Sequence, residues 1–300
     1  MSGAVLVIGR EGQVARALVQ RIAIAGRAVV AVGRPEADLA VPETLAAAIA
    51  RHSPALVVNA GAFTAVDAAE SRSEEAFRVN AGGAGALALV CALASMPLLH
   101  LSTDYVFDGT ARRPYREDDP VAPLSVYGAS KWDGERQVRA SAGRHVILRT
   151  SWVYSETGRN FLTTMLRLAG ERDVVRVVDD QEGSPTYADD VADAVATISE
   201  AVLREPREHH WGTFHFANAG STTWHGLAQA IFAEAAGFGW RVPRLEPIAT
   251  TQYPTPARRP AYSVLDTGKL RQAFGIDPAP WRDAVRRCLI RLKQAGGLAA

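Results

Sequence analysis

The chain has 300 residues, with 33 lysines and arginines against 32 aspartates and glutamates, and a formal net charge of +1. This balance argues against a nucleic-acid partner, because nucleic-acid-binding domains usually carry a marked basic excess. Hydrophobic residues make up 48% and charged residues 22% of the chain, which excludes disordered, collagen-like and coiled-coil proteins. The length predicts about two domains or one large α/β unit.

The cysteines and the apolar runs indicate the cellular setting. Cys91 and Cys288 form no CxxC pair and no metal-ligand spacing with histidine, so we expect a reducing, cytoplasmic environment. The chain does not open on a basic segment followed by an apolar core, and no apolar run approaches the ~20 residues of a membrane helix. We therefore expect a soluble protein with no membrane partner.

The first half of the chain alternates between short apolar strands and helices. The predicted elements are, in chain order, strand 4–8, helix 14–24, strand 28–32, helix 45–51, strand 55–58, a mostly helical stretch 65–94, strand 97–101, helix 126–140 and strand 145–149. Nearly continuous apolar strands that alternate with helices are typical of a parallel sheet covered on both faces. We predict an α/β fold with a doubly wound parallel sheet of Rossmann type, whose ligand crevice lies at the carboxyl ends of the strands.

After residue 150 the pattern changes. Prolines gather between 243 and 280, and helices predominate, with candidates at 222–236 and 279–293. We interpret 1–150 as a dinucleotide-binding domain, to whose sheet the chain later returns, and 151–300 as mainly a smaller substrate-binding lobe. No internal repeat or low-complexity linker separates the two parts, so we expect them to pack closely.

A glycine-rich segment follows the first strand and opens the first helix. Gly9, Gly12 and Ala15 form a GxxGxxA spacing. Gly9 permits a tight turn, Gly12 lets a pyrophosphate approach the backbone, and the small Ala15 lets the helix pack on the strand. The pyrophosphate would then lie at the helix N-terminus. At this place in a βαβ unit, the segment predicts dinucleotide binding rather than a plain turn.

Further cofactor contacts are predicted after the second and third strands. Arg34 stands where many such folds place an acidic residue on the ribose, and an arginine there can instead accept a 2′-phosphate. This predicts NADPH, although a solvated loop arginine is the plainer alternative. Asp38 and Leu39 are candidates for contact with the adenine, and Ala60 and Ala62 for the loop that lines the cofactor.

A second group of residues predicts proton transfer. Tyr127 and Lys131 are four residues apart on one predicted helix and therefore share a face. A nearby cation favours the phenolate and lowers the tyrosine pKa from its usual value near ~10, which makes the phenol a usable general acid. Thr103 lies at the carboxyl end of a predicted strand. Its hydroxyl can there bond the substrate oxygen that receives the proton from Tyr127. A chance pair on an exposed helix face is the weaker alternative.

These segments resemble the extended short-chain dehydrogenase/reductase family, and within it the reductases that complete dTDP-L-rhamnose synthesis. The resemblance rests on segments that span nearly the whole chain: 12–14, 59–67, 102–107, 126–131, 149–154, 160–161, 180–186, 223–225 and 253–260. It implies NAD(P)H-dependent reduction of the C4 ketone of dTDP-4-dehydro-L-rhamnose, with NADPH preferred and NADH possible.

The resemblance also implies roles for single residues. Tyr127 would give a proton to the C4 oxygen, Lys131 would hold the nicotinamide ribose and lower the Tyr127 pKa, and Thr103 would orient them. Asp104 and Trp152 would contact the substrate, the indole by its apolar face and its N–H. The positions that the family uses for the cofactor are here Gly12, Gln13, Val14, Asp38, Leu39, Ala62, Phe63 and Thr64.

Two features depart from the family's pattern. Some relatives bind Mg²⁺ with glutamates across a dimer interface, and the corresponding residues here are Ala17, Asp189 and Arg291. One carboxylate remains and one position carries the opposite charge, so Mg²⁺ is doubtful and we expect a monomer or a weak homodimer. Phe63 stands where some relatives have histidine, so stacking would replace a polar contact there.

A diphosphate site is predicted in the second lobe. Arg258 and Arg259 lie between prolines, and a rigid arginine is suited to neutralise a nucleotide diphosphate. Asn160 is placed to meet the same diphosphate through its amide. A surface loop is the plainer alternative. No group of histidine, cysteine and carboxylate has ligand spacing, so no metal site is predicted.

Two other functions stay open at this point. A nucleotide-sugar epimerase or dehydratase of the same superfamily would retain and recycle NAD, although Thr103 is followed here by Asp-Tyr and not by the Asp-Glu pair usual in dehydratases. The other is a non-catalytic, cofactor-binding regulatory subunit. The joint presence of Thr103, Tyr127, Lys131 and Trp152 argues against it.

Overall fold

A parallel sheet of six strands forms the centre of the fold in the computed structural model, which describes residues 3–141 and 143–296. The strands are, in chain order, β1 (Val5–Ile8), β2 (Val29–Val32), β3 (Leu56–Asn59), β4 (Leu98–Thr103), β5 (His145–Thr150), β6 (Val153–Tyr154), β7 (Val174–Val178), β8 (Glu182–Gly183), β9 (Thr186–Tyr187), β10 (Gly212–His215), β11 (Thr222–Thr223) and β12 (Arg244–Ile248). The central sheet has the order β10-β5-β4-β3-β1-β2, with parallel neighbours throughout. The predicted α/β class is confirmed.

Helices connect the strands and cover the sheet. They are, in chain order, α1 (Gln13–Ile24), α2 (Pro42–His52), α3 (Val66–Ser71), α4 (Ser73–Phe77), α5 (Ala84–Leu93), α6 (Val126–Ser141), α7 (Phe161–Glu171), α8 (Ala188–Arg204), α9 (Trp224–Gly237), α10 (Gly268–Phe274) and α11 (Trp281–Gln294). A π-helical turn, Arg78–Gly83, joins α4 to α5 without a break. Every helix and strand predicted for the first half has a counterpart in the structure.

The two faces of the sheet bury separate apolar layers. Along β1, Val5 and Val7 face a layer that includes α1 and α8, whereas Leu6 and Ile8 face one that includes α2 and α5. All four side chains are 0–1% exposed. Full burial of such a side chain stabilises the fold by roughly 1.5–3 kcal/mol. This is why the strands are apolar without alternation, as expected for a sheet covered on both sides.

The second half of the chain contributes to the sheet and to a separate core. β10 extends the sheet beyond β5, and α8 packs on α1. Helices α7, α9 and α11 enclose another apolar cluster, in which Leu162, Ile231 and Leu289 are fully buried. The division into 1–150 and 151–300 stays an interpretation of these cores.

The continuous helical stretch Ser73–Leu93 is long and apolar enough to cross a membrane, with 21 residues and a mean hydropathy of 1.5 over its most apolar window. The expectation that no apolar run approaches this length was wrong. Half of that window is buried inside the fold. Leu87, Ala88 and Cys91 pack against the sheet, as they do in the core helix of a globular protein.

Candidate active site

A cavity of about 760 Å³ opens at the carboxyl ends of β1, β2 and β3. A doubly wound sheet is expected to bind its ligand at this edge. The lining includes the following residues that the sequence predicts to hold a cofactor: Gly9, Gly12, Arg34, Asp38, Leu39, Ala60, Ala62, Phe63 and Thr64.

The glycine-rich turn has the geometry of a phosphate cradle. Gly9 ends β1 with a φ of 113°, and a Cβ there would lie 3.0 Å from the Gly61 nitrogen, so only glycine is tolerated. A Cβ on Gly12 would meet no atom of the described residues within 4 Å. The backbone at the start of α1 is therefore open to a ligand, and the turn fits a pyrophosphate at a helix N-terminus.

Gln13 and Val14 open α1 beside this cavity. Val14 packs on the core, and Gln13 Oε1 accepts hydrogen bonds from Asn160 Nδ2 and Ser155 Oγ, both at 2.9 Å. Asn160 also caps α7, where its Oδ1 accepts from the Thr163 nitrogen at 3.0 Å. The amide predicted to meet a diphosphate is thus engaged inside the protein, and a contact with that ligand would have to replace one of these bonds.

Three arginines that the sequence analysis did not name also line the cavity: Arg10, Arg72 and Arg78. The Arg10 backbone and Cβ lie close to Gly33, the residue before Arg34, and both arginines line the cavity. Arg72 lies over the Phe63 ring at 5.1 Å from its centroid. Arg10 could have been found in the sequence, because it lies inside the GxxG spacing. Arg72 lies between α3 and α4 and Arg78 begins the π-helical turn, and no local pattern predicts that this stretch approaches the cavity.

Tyr127 and Thr103 lie where α6 begins and β4 ends. The start of α6 presses against the loop after β4, since a Cβ on Gly128 would lie 2.2 Å from the Tyr105 carbonyl oxygen. Burial raises the pKa of Tyr127 to about 12, a hydrogen bond with Thr103 lowers it, and the Asp104 carboxylate raises it. The phenol is therefore protonated at neutral pH and able to donate.

Lys131 lies one turn further along α6 and is 2% exposed. Its Nζ donates to the Leu101 carbonyl oxygen at 2.7 Å. Burial lowers the pKa of Lys131 to about 8, against the effect of the Glu135 carboxylate, which raises it. In this geometry the neighbour that lowers the Tyr127 pKa is Thr103, whereas Lys131 was expected to do so from the sequence.

Asp104 follows Thr103 and is 1% exposed. Its Oδ1 accepts from the Thr103 hydroxyl at 3.1 Å, and its Oδ2 has no hydrogen-bond partner in the described part of the chain. Burial raises the pKa of Asp104 to about 7, although the neighbouring Ser263 and Thr103 hydroxyls act to lower it. A buried carboxylate oxygen without a donor is costly to the fold, and its position beside Thr103 suits contact with a ligand hydroxyl.

Trp152 has a left-handed backbone, with a φ of 45°. Its indole stacks on Trp224 with 3.5 Å between the ring centroids and 5° between the planes. Gly183 makes room for this ring, because a Cβ there would lie 2.5 Å from it. Trp224 therefore covers one face of Trp152 and holds an unfavourable backbone conformation in place.

Arg258 and Arg259 differ in what they contact. Arg259 Nη2 lies 2.9 Å from Asp67 Oδ2, so this guanidinium ties its loop to the segment after β3. Arg258 is exposed. The charge of Arg259 is thus partly neutralised by the protein, and Arg258 keeps the more accessible guanidinium of the pair.

Asn80, in the π-helical turn, hydrogen-bonds the backbone of the loop that carries Phe63. Its Oδ1 accepts from the Phe63 nitrogen at 2.7 Å, and its Nδ2 donates to the Phe63 carbonyl oxygen at 3.0 Å and to Ser130 Oγ at 2.9 Å. Asn80 is not among the site residues predicted from the sequence. Its signal was a polar side chain inside an apolar helix, and π-helical turns are frequent at functional sites.

The residues at the positions of the Mg²⁺-binding glutamates do not fit a divalent cation. The Arg291 guanidinium contacts the Asp189 carboxylate, lies 3.7 Å from Glu156 Oε1, and so supplies the positive charge there. Ala17 is a buried residue without a ligand atom. Within 3–141 and 143–296, no group of three or more histidine, cysteine or carboxylate side chains could hold a metal.

The chain matches the family model described as the RmlD substrate binding domain over residues 3–294. The dTDP-4-dehydrorhamnose reductase of Burkholderia thailandensis is 45% identical over 296 residues, which cover 95% of this chain and 97% of that protein. The protein of the same name from Escherichia coli is 39% identical over 293 residues, with 96% and 97% covered.

Solved structures agree with these sequence matches. The dTDP-4-dehydrorhamnose reductase of Bacillus anthracis, in complex with NADP, has a TM-score of 0.89 at 30% identity and covers 97% of this chain and 100% of its own. The corresponding structure from Clostridium acetobutylicum has a TM-score of 0.89 at 32% identity, with 97% and 99% covered. The chain therefore belongs to the dTDP-4-dehydrorhamnose reductase family.

Proposed function

We propose that this protein reduces the C4 ketone of dTDP-4-dehydro-L-rhamnose to give dTDP-L-rhamnose, with NADPH as the preferred reductant and NADH as a second one. The observation that carries the proposal is that Thr103 ends β4, Tyr127 at the start of α6 contacts it, and Lys131 follows one helical turn later, at the same carboxyl edge of the sheet on which the cavity opens. Relatives over nearly the full chain are named for this reaction.

NADPH, when bound, supplies the hydride. The turn from Gly9 to Gly12 and the start of α1 would hold its pyrophosphate, because open backbone N–H groups at a helix N-terminus bind phosphate. Arg34, with Arg10 beside it, would hold the 2′-phosphate that distinguishes NADPH from NADH. Lys131 would donate to the nicotinamide ribose.

Tyr127 is assigned as the proton donor to the C4 oxygen. Reduction requires a protonated phenol, and burial keeps the pKa of Tyr127 well above neutrality, at about 12. Thr103 contacts the same phenol and lowers that pKa, so the proton becomes easier to release toward the ketone oxygen. Burial thus keeps the proton on Tyr127, and Thr103 orients the phenol toward the ketone oxygen.

The substrate would be held by residues on both sides of the cleft. Asp104 Oδ2, which lacks a partner in the described residues, would accept from a sugar hydroxyl. Trp152 would contact the deoxysugar through its indole, and Arg258 with Arg259 would neutralise the diphosphate. Asn160 would reach that diphosphate only by giving up a bond to Gln13 or to its own loop.

The test is a coupled assay in which the dTDP-ketosugar is made in situ and NADPH absorbance is followed. We expect one NADPH oxidised for each ketosugar consumed and dTDP-L-rhamnose as the product. Recycling of the cofactor without net oxidation would support the epimerase or dehydratase alternative. Binding of NADPH without reduction of any nucleotide sugar would support the regulatory subunit.

The setting and the assembly are part of the same proposal. We propose a cytoplasmic enzyme, since Cys91 and Cys288 are both free and buried, as in proteins of reducing compartments. We also propose a monomer or a weak homodimer that needs no Mg²⁺, because Arg291 provides the charge beside Asp189. Light scattering with and without a chelator checks this, and a chelator-sensitive stable dimer would contradict it.

A further inference from the structure

His100 of β4 stands between Asn59 of β3 and Lys131 of α6. Asn59 and His100 are direct neighbours in the parallel register of the two strands. His100 Nδ1 lies 3.0 Å from Asn59 Nδ2, and His100 Nε2 lies 3.5 Å from Lys131 Nζ. All three side chains are 1–2% exposed. The row runs from the core of the sheet directly to the active-site lysine.

The hydrogen-bond direction along this row follows from its first member. Asn59 Oδ1 accepts from the Gly61 nitrogen at 3.2 Å, so the amide nitrogen of Asn59 is the atom that faces His100. An amide nitrogen can only donate, so His100 Nδ1 accepts and the hydrogen of the neutral ring lies on Nε2. Burial and the charge of Lys131 hold the pKa of His100 well below its usual value, so the ring is neutral.

Lys131 therefore faces a donor where an acceptor would be expected. The hydrogen bonds within the described residues give Nζ one protein acceptor, the Leu101 carbonyl oxygen at 2.7 Å. An ammonium has further N–H groups, which His100 Nε2–H cannot accept. The charges around the pair are Glu135 near Lys131, which favours its ammonium form, and Arg139 and His145 near His100, which disfavour ring protonation.

We propose that His100 is a positioning residue that acts through Lys131: by presenting Nε2–H, it withholds an acceptor from the ammonium and leaves its N–H groups for the cofactor in the cleft. This inference rests on the proposed function, in which Lys131 serves the nicotinamide ribose. Asn59 has the role of fixing the tautomer, as the partner of the second ring nitrogen does in many histidine sites.

Two substitutions would place a hydrogen-bond acceptor, instead of a donor, opposite the Lys131 ammonium. In Asn59→Asp the carboxylate accepts from Nδ1–H, so Nε2 becomes an acceptor for Lys131. In His100→Gln the side-chain oxygen can turn toward Lys131 without adding a charge. For both we expect the KM for NADPH to rise several-fold with a smaller change in kcat. The alkaline limb of kcat/KM, which follows the Lys131 pKa of about 8, should move up by about one pH unit.

His215→Gln is the matched control, because His215 is also fully buried in the sheet and faces a cation, Arg149. It should lower stability without moving the alkaline limb. An unchanged KM and limb in a folded His100→Gln protein would overturn the proposal, as would an equal shift in the control.

A direct measurement needs neither turnover nor a variant that folds. The two-bond ¹H–¹⁵N spectrum of the labelled wild-type protein distinguishes the two neutral histidine tautomers, and His100 should appear as the Nε2–H form at pH 7. The Nδ1–H form would overturn the proposal. This result and NADPH binding are obtained without sugar, so they are separate from a failure of the protein to reduce the ketosugar.

Discussion

Two buried histidines in the central sheet each face a buried cation, and they do so with opposite polarity. His215 donates from Nδ1 to the Tyr115 carbonyl oxygen at 3.1 Å, so its Nε2 accepts from Arg149 Nη1 at 3.3 Å. His100 accepts at Nδ1 and turns its N–H toward Lys131. His215 gives its cation an acceptor, whereas His100 gives its cation none.

The carboxylate near the two cations strengthens this contrast. Glu135 accepts from Arg149 through both oxygens, at 2.9 and 2.8 Å, and also from Ser102 at 2.6 Å. Burial acts to raise the pKa of Glu135, but the hydrogen bonds from Arg149 and Ser102 outweigh it and hold that pKa below its usual value. Arg149 is therefore a structural charge with its partners in place. Lys131, at the ligand edge of the sheet, keeps N–H groups for a ligand.

Tyr127→Phe should impair catalysis without changing the stability of the fold, and it should have the largest effect of the four substitutions. Loss of the proton donor is expected to lower kcat by about 10²–10⁴-fold. The melting temperature and the Kd for NADPH should stay near the wild-type values, because the phenyl ring fills the same space. Turnover close to wild type in a folded protein would contradict the assignment of Tyr127.

Arg149→Met should lower the stability of the fold. It leaves the buried Glu135 without its main partner, which is expected to cost about 3–5 kcal/mol in the free energy of unfolding. A carboxyl whose folded pKa is lowered contributes stability above its unfolded pKa and loses it at acid pH, so the difference from wild type should shrink as the pH falls. Denaturant unfolding at several pH values measures this. Arg139→Met, at a half-exposed partner of the same carboxylate, is the control, with a loss of roughly 1 kcal/mol.

Asp104→Asn removes a buried charge that, unlike that of Glu135, is only partly paired within the fold. The folded pKa of Asp104 is raised to about 7, so its contribution to stability is present below its unfolded pKa and is lost as the pH rises through about 7. The variant should be more stable than wild type at pH 8 by about 2–4 kcal/mol and nearly equal below pH 4. Its kcat/KM for the sugar should fall. Lower stability than wild type at pH 8 would contradict this reasoning.

Arg34→Asp tests the smallest of the four effects, at a charge on the cavity rim. Loss of a charge-assisted hydrogen bond to the 2′-phosphate should weaken NADPH binding roughly 10–100-fold, and NADH binding should change little. Isothermal titration of both cofactors measures the ratio. Equal losses for NADPH and NADH would show that Arg34 does not read the phosphate.

The parts of the site that sequence reasoning predicted depend on residues close together in the chain. The residues of the GxxGxxA turn, and those of the Tyr127–Lys131 pair, each lie within seven positions of one another, so their spacing reveals them. Asn59 and His100 lie in different strands, and their contact exists only once β3 and β4 are paired. The same holds for the Arg259–Asp67 ion pair, whose members are 192 residues apart. Periodicity identified each of these elements, but it does not say which polar side chains meet.

Gln13 links the glycine-rich turn before α1 to the start of α7, and this link has thermodynamic consequences. Its backbone belongs to the phosphate cradle, while its side chain accepts from Asn160 at the start of α7 and from Ser155. If cofactor binding alters these bonds and thereby changes the affinity for the sugar nucleotide, the sugar nucleotide changes the affinity for the cofactor by the same factor, because coupling between two sites is reciprocal. The affinity for each ligand then depends on the other by one common factor, and Gln13→Ala is the simplest way to set that factor closer to unity.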